Sequence, residues 1–134
     1  MRSKFVTLLL VSTIFGCAKG YKEGEPLRGE ELALAKKATE MTKKAEDLAE
    51  DATSDLGQTW KGFLENARLF DNDCQRHSCN SLEARNDFNH LRYYAVQLDS
   101  LITEQTYPSL YPKWREIRVE YVDAIGKELG YRIE

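Results

Sequence analysis

Apolar residues return along most of this chain at alternating steps of four and three. The first stripe runs Leu34, Ala38, Met41, Ala45, Leu48, Ala52. That spacing keeps one face of an α-helix apolar turn after turn. The opposite face carries Lys36, Lys37, Glu40, Lys43, Lys44, Asp47 and Glu50, with Glu40–Lys44 and Lys43–Asp47 as i,i+4 pairs of opposite charge. Leu56, Trp60, Phe63, Ala67 and Phe70 continue the stripe, but two successive steps of four, from Ala52 through Leu56 to Trp60, shift it. Ser54, Asp55 and Gly57 fall at the shift, and Asp55-x-x-Gln58 has the form of a capping box. The pattern predicts one long helix over about 28–71, kinked or unwound near 54–57. A break into two helices is the alternative.

The polar stretch from Asp71 to Asn80 reads as a turn, and Asn80-x-x-Glu83 as the capping box of the next helix. That helix, about 81–105, repeats the spacing with Ala84, Phe88, Leu91, Ala95, Leu98 and Ile102. Tyr107 to Pro112 ends it, because each proline biases its predecessor away from helix. Pro112 suits the first turn of a further helix, with Trp114, Ile117, Tyr121, Ala124, Ile125 and Leu129 on its apolar face and Gly130 as its stop. Short connections favour antiparallel neighbours. The expected fold is therefore all-α: an antiparallel three-helix bundle with a long first helix, or a four-helix bundle if that helix breaks. Residues 56–70, with their large side chains, should pack in the compact part. The thinner stripe over 28–52 either closes it or projects as an arm for a coiled-coil partner.

The N-terminus follows a different pattern. Arg2 and Lys4 precede an almost unbroken apolar run from Phe5 to Phe15, and a polar stretch begins at Lys19. This is the layout of an export signal. The run is shorter than the ~20 apolar residues that span a bilayer. Its end, Ile14-Phe15-Gly16-Cys17, resembles the lipobox of bacterial lipoproteins, with a branched apolar residue three before the cysteine and a small one just before it. The resemblance covers the first 17 residues. It implies cleavage after residue 16 and a lipidated Cys17 bearing a thioether-linked diacylglycerol and an N-acyl chain. Several buried acyl chains make a durable anchor. Ala18 after the cysteine resembles the class sorted to the outer membrane. The chain thus divides into a signal peptide (1–16), a tether (17–27) rich in glycine and charge, and a helical domain (28–134).

Composition supports this division. Apolar residues make up 42% and charged residues 31% of the chain, a balance suited to a folded helical domain rather than to disorder. The net charge is −3, and two of the positive charges lie in the leading segment, so the remainder is more acidic still. A nucleic-acid partner is not expected.

Cys74 and Cys79 form an even pair apart from Cys17. In an exported domain such a pair is expected as a disulfide, here fixing a turn between helices. His77, Asp71 and Asp73 lie nearby, so a metal set is conceivable. The C-x₄-C spacing and the lack of a second cysteine pair weigh against it, and no metal or cofactor is expected. Glu83, Asp87, His90 and Tyr94 fall along one side of their helix and read as a solvated polar stripe. No nucleophile motif accompanies either histidine, so no catalytic residue is assigned. Tyr107, Tyr111 and Trp114, with Tyr93 and Tyr94 upstream, form an aromatic group that could anchor an interface or cap the bundle end. The sequence therefore points to a lipid-anchored envelope protein, at the outer membrane facing the periplasm in a Gram-negative cell. Its domain would bind a partner protein or itself without catalysis. The alternative is a helical carrier of a small ligand or metal.

Overall fold

A computed structural model describes residues 26–131. The segment read as signal peptide and lipidated Cys17, and all of the tether before Pro26, lie outside the described residues. Those described fold into helices without a strand. In chain order these are α1 (Gly29–Asp47), α2 (Ala49–Leu56), α3 (Gln58–His77), α4 (Leu82–Leu101) and a last helical body. That body runs from α5 (Tyr111–Ile117) through a π-helical stretch (Arg118–Asp123) into α6 (Ala124–Glu128). None of these helices is long and apolar enough to cross a membrane.

The long first helix expected over 28–71 is three helices. A slight break falls at Leu48, and a complete one at Gly57, where φ is 57° and ψ is −127°. Side chains other than glycine rarely adopt such a backbone, so Gly57 can reverse the chain where another residue would be strained. Gly57, rather than Asp55, occupies the N-cap of α3, and no side chain caps that end. After the reversal α3 runs back along α1. Arg68 donates to Glu46 at 2.9 Å, the Thr42 hydroxyl donates to the Ala67 carbonyl at 3.1 Å, and Gln75 donates to the Ala35 carbonyl at 3.1 Å. The order of partners is opposite along the two helices, so they are antiparallel.

The α1 stripe does not project. Ala35, Ala38, Met41, Ala45 and Ala52 are fully buried, and Leu34 and Leu48 nearly so. Small side chains on this face let the helices approach closely enough for a threonine hydroxyl on one to reach a backbone carbonyl on the other. The i,i+4 pair read for Lys44 gives way to a longer-range one: its ammonium pairs with Glu116 of α5 at 3.2 Å.

The same apolar stripe of α3 also meets α4 and α5 through aromatic side chains. Phe63 and Trp114 stack edge to face with centroids 5.2 Å apart, Trp60 lies 5.5 Å from Phe63, and Phe70 lies 5.1 Å from Phe88. Each of these five rings is fully buried.

α3 continues to His77, past the expected end at residue 71. Its apolar face extends by one more turn to the buried Cys74, while Asp71 and Gln75 are held by Thr39 of α1. The cap of α4 is Ser81, whose hydroxyl accepts from the Ala84 amide at 3.2 Å; Asn80, read as the cap, instead accepts from Arg85. α4 stops at Leu101, before the expected 105, because Thr103 and Thr106 close a turn on each other and Thr106 donates to the Leu101 carbonyl at 2.7 Å. Pro112 lies in the first turn of α5, and Gly130 ends the last helix with φ at 87°, as the sequence indicates.

These connections give the molecule two distinct ends. The start of α1, the turn between α3 and α4, and the C-terminal residues share one: Ser78 donates to Glu31, and Arg85 donates to the Leu129 carbonyl. Leu48, α2 and the loop after α4 lie at the other, one α1 length away. At 1.5 Å per residue the 19 residues of α1 span about 28 Å.

Candidate functional site

At the first end, Cys74 in the last turn of α3 and Cys79 beyond it are joined by a disulfide, their Cα atoms 4.2 Å apart. Between them Ser78 is buried with φ at 88°, a conformation unusual for a residue with a Cβ. Its hydroxyl donates to Glu31 and accepts from the Asn80 amide, which fixes the turn to α1. The donors read here as a metal set are otherwise engaged. The two sulfurs bond each other, and Asp71 accepts from Thr39 and Gln75. Among the described residues no three His, Cys, Asp or Glu side chains stand where they could hold an ion together.

The polar stripe on α4 is not simply solvated. Asp87 shares a hydrogen bond with Asp73 of α3, and its carboxyl is raised to about 7. Burial is the largest cause, followed by that hydrogen bond, the Asp73 charge and the Glu83 charge. The Asp87 Oδ2 atom is buried and accepts from no N–H or hydroxyl donor among the described residues. The pair therefore holds a proton between two helices at a pH where lone carboxyls have lost theirs. Further along the stripe, the ring of Tyr94 lies flat against Gly62 of α3, and a Cβ at Gly62 would collide with it. The glycine is there for close approach, a role that α3's helical pattern does not disclose.

The three aromatic residues singled out from the sequence separate in space. Trp114 is fully buried, and its indole N–H donates to Asp99 of α4 at 2.9 Å. It is a core residue and offers no exposed anchor. The other oxygen of Asp99 accepts from Arg118 at 2.9 Å, and Arg118 also reaches Asp123 at 2.6 Å. The Arg118 side chain is 6% exposed. Burying a guanidinium is costly unless its donors are paired, and here two carboxylates pair them. The π-helical stretch makes this geometry: its wider turn, built on i→i+5 bonds, brings Arg118 and Asp123, five apart, to the same side. Sequence reasoning missed both the arginine and the stretch.

Tyr107 and Tyr111 are half-buried at the second end, and Tyr107 lines a groove. The groove lies between α2 and the loop leading into α5, open to solvent, with a volume of about 670 Å³. Leu48, Tyr107, Pro108 and Leu110 supply its apolar surface. Glu50, Asp51 and Asp55 line the α2 side, and Lys113 stands opposite. In the sequence these acids are indistinguishable from any solvated helix face. What separates them is the break on either side of α2, which turns them toward the 106–110 loop.

The chain matches no protein-family model, no curated protein and no solved structure. The functional reading therefore rests on the residues themselves.

Proposed function

We propose that this protein is a lipid-anchored protein of the bacterial envelope whose helical domain is a non-catalytic module for binding another protein. In this reading residues 1–16 are removed, Cys17 carries the lipid, and residues up to about 27 tether an antiparallel helical bundle to the periplasmic side of the outer membrane. The observation that carries the proposal is the coincidence of two independent signs of export. One is the lipobox-like Ile14-Phe15-Gly16-Cys17. The other is the bond between Cys74 and Cys79, the two cysteines beyond it. The open groove and exposed Tyr93, Val96 and Leu101 on α4 supply surface suited to a protein partner.

The test is direct. In the native host, the wild-type protein should label with a fatty-acid probe and fractionate with membranes. Cys17→Ser should lose the label and either accumulate unprocessed or appear in the soluble fraction. Absence of label on the wild-type chain would reject the anchor.

A further inference from the structure

We propose that the groove between α2 and the 106–113 segment is a docking site for an extended, lysine- or arginine-bearing stretch of a partner protein. The inference deepens the interaction-module reading and rests on it. Three observations converge on a cationic occupant.

The first is unanswered charge. Four acids at helix contacts have cations: Glu46 has Arg68, Glu116 has Lys44, and Asp99 and Asp123 have Arg118. Glu50, Asp51 and Asp55 make no ion pair among the described residues, although all three line one groove. Lys113 is the single cation among the lining residues. Three carboxylates against one ammonium leave a local negative field that a positive side chain would relieve.

The second is the pairing of those acids with an apolar and aromatic surface. Leu48, Leu110 and Pro108 can take the aliphatic stem of a lysine or arginine while its head stays with the carboxylates. Tyr107 adds a ring face for a guanidinium. A fully polar cleft would hold inorganic cations as well as a peptide; this mixed one favours a long amphipathic side chain. Its volume falls within the ~300–1,000 Å³ typical of ligand sites.

The third is position. The groove lies at the end of α1 away from the tether, about 28 Å from the helix start by α1's length of 19 residues. With the chain anchored before α1, the groove's acids would repel the anionic headgroups of that bilayer. Its occupant therefore comes from outside that membrane surface.

The experiment uses the full chain in neutral detergent micelles. Fluorescence anisotropy follows short labelled peptides of alternating Lys/Ala and Arg/Ala, with Gln/Ala and Glu/Ala as matched controls. The cationic peptides should bind saturably at one site, and the controls should not. Neutralising the groove with E50Q/D51N/D55N should weaken binding about tenfold or more, equivalent to a loss of ~1.4 kcal/mol. Y107A should weaken the Arg/Ala peptide in particular. Removing the same number of exposed charges elsewhere, with E65Q/E120Q/E128Q, should leave binding within about twofold. Circular dichroism of both triple variants should match the wild type, since their acids are exposed; Y107A, whose ring is half-buried, is judged by the Arg/Ala-to-Lys/Ala affinity ratio, which partial unfolding would not change.

Four outcomes would overturn the proposal. The cationic peptides fail to bind. Both triple variants lose affinity equally, which would reduce the effect to net charge. Spermidine saturates the same residues as tightly as the peptides, which would assign the groove to a small polycation. Or the chain dimerises through these acids and excludes the peptides, which would make a second copy the occupant. Fatty-acid labelling at Cys17 is independent of all these substitutions. A negative binding result therefore removes the groove and leaves the anchor to its own test.

Discussion

The apolar stripe of α3 is buried by different means on its two sides. Toward α1 the contact is made by small or slender residues, Ala35, Ala38, Met41, Ala45 and, on α3 itself, Ala67. Toward α4 and α5 it is made by Trp60, Phe63, Phe70, Phe88 and Trp114. Both sets are equally inaccessible to solvent. The alanine face brings backbones together and adds hydrogen bonds between helices, as Thr42 and Gln75 show. The aromatic face supplies most of the buried area. Depth of burial therefore does not follow side-chain size. A thin stripe can be core when its partner helix supplies the bulk, as Trp60, Phe63, Leu64 and Phe70 do here.

Substitutions can break this comparison, beginning with the largest effect. Phe63→Ala empties a fully buried ring position between Trp60 and Trp114 and should cost ~3–5 kcal/mol. In a domain of this size that approaches the whole stability, and a thermal melt should show a near loss of cooperative unfolding. Met41→Ala probes the thin face. Met41 is fully buried, so the change should cost ~2–4 kcal/mol in a strict monomer, with no change in sedimentation. A negligible cost, with self-association lost instead, would mean that α1 leaves α3 in solution.

The smallest effect sharpens the contrast on the α4 side, where a polar contact sits beside the aromatic one. Asp87 ionises at about 7 in the fold, against an ordinary value of 3.8. Between about pH 4 and 7 the unfolded chain has released a proton that the folded chain keeps. Rising pH across this window therefore removes stability, and the loss is complete above about 7. Asp87→Asn should abolish this slope and make the variant relatively more stable at pH 8 than at pH 5. Asp87 is only half-buried, so solvent screens much of the shift and the expected gain is ~1–2 kcal/mol. Denaturant titrations at the two pH values measure it, and parallel curves for variant and wild type would refute the shared proton.

The periodicity made the core legible. Leu56 to Phe70 and Ala84 to Ile102 read inward from spacing alone, and the structure buries them; Leu34 to Ala52 reads equally as a bundle face or a projecting arm, and the structure makes it a bundle face. The disulfide was legible from pairing and compartment. The reversal at Gly57 was not, because a stripe that shifts by one residue looks much the same whether the helix kinks or folds back. The decision rests on one glycine's φ. Trp114 carried two readings: its place three before Ile117 pointed inward, while its place after a proline turn suggested an interface. The inward one prevails because Asp99 satisfies its N–H. Arg118 gave no signal, since a single arginine among apolar residues ordinarily reaches solvent, and its two carboxylate partners come from α4 and from five positions along. The groove was illegible for a similar reason: its walls are fifty residues apart in the chain and meet only after α1 and α3 have folded back on each other.

The π-helical stretch also sets the phase of everything after it. Buried apolar side chains along the last helix step by five from Ile117 to Val122, then by three to Ile125 and four to Leu129. An uninterrupted α-helix cannot hold a step of five on one face. The wide turn absorbs the surplus and works as a one-residue gear offset between two meshed lengths of helix. Deleting a single exposed residue there, such as Val119, would let the helix close into regular α geometry. It would leave α6 nearly in phase, because a step of four in α geometry returns to the same side as the step of five across the wide turn. Ile125 and Leu129 would keep facing the core, and Tyr131 would keep its place against Phe88, whereas the same deletion in the regular turns of α4 would rotate all that follows by about 100°. The length of this helix is thus encoded in its turning as much as in its sequence: one residue can be lost at the wide turn with the core face kept, and nowhere else along the helix.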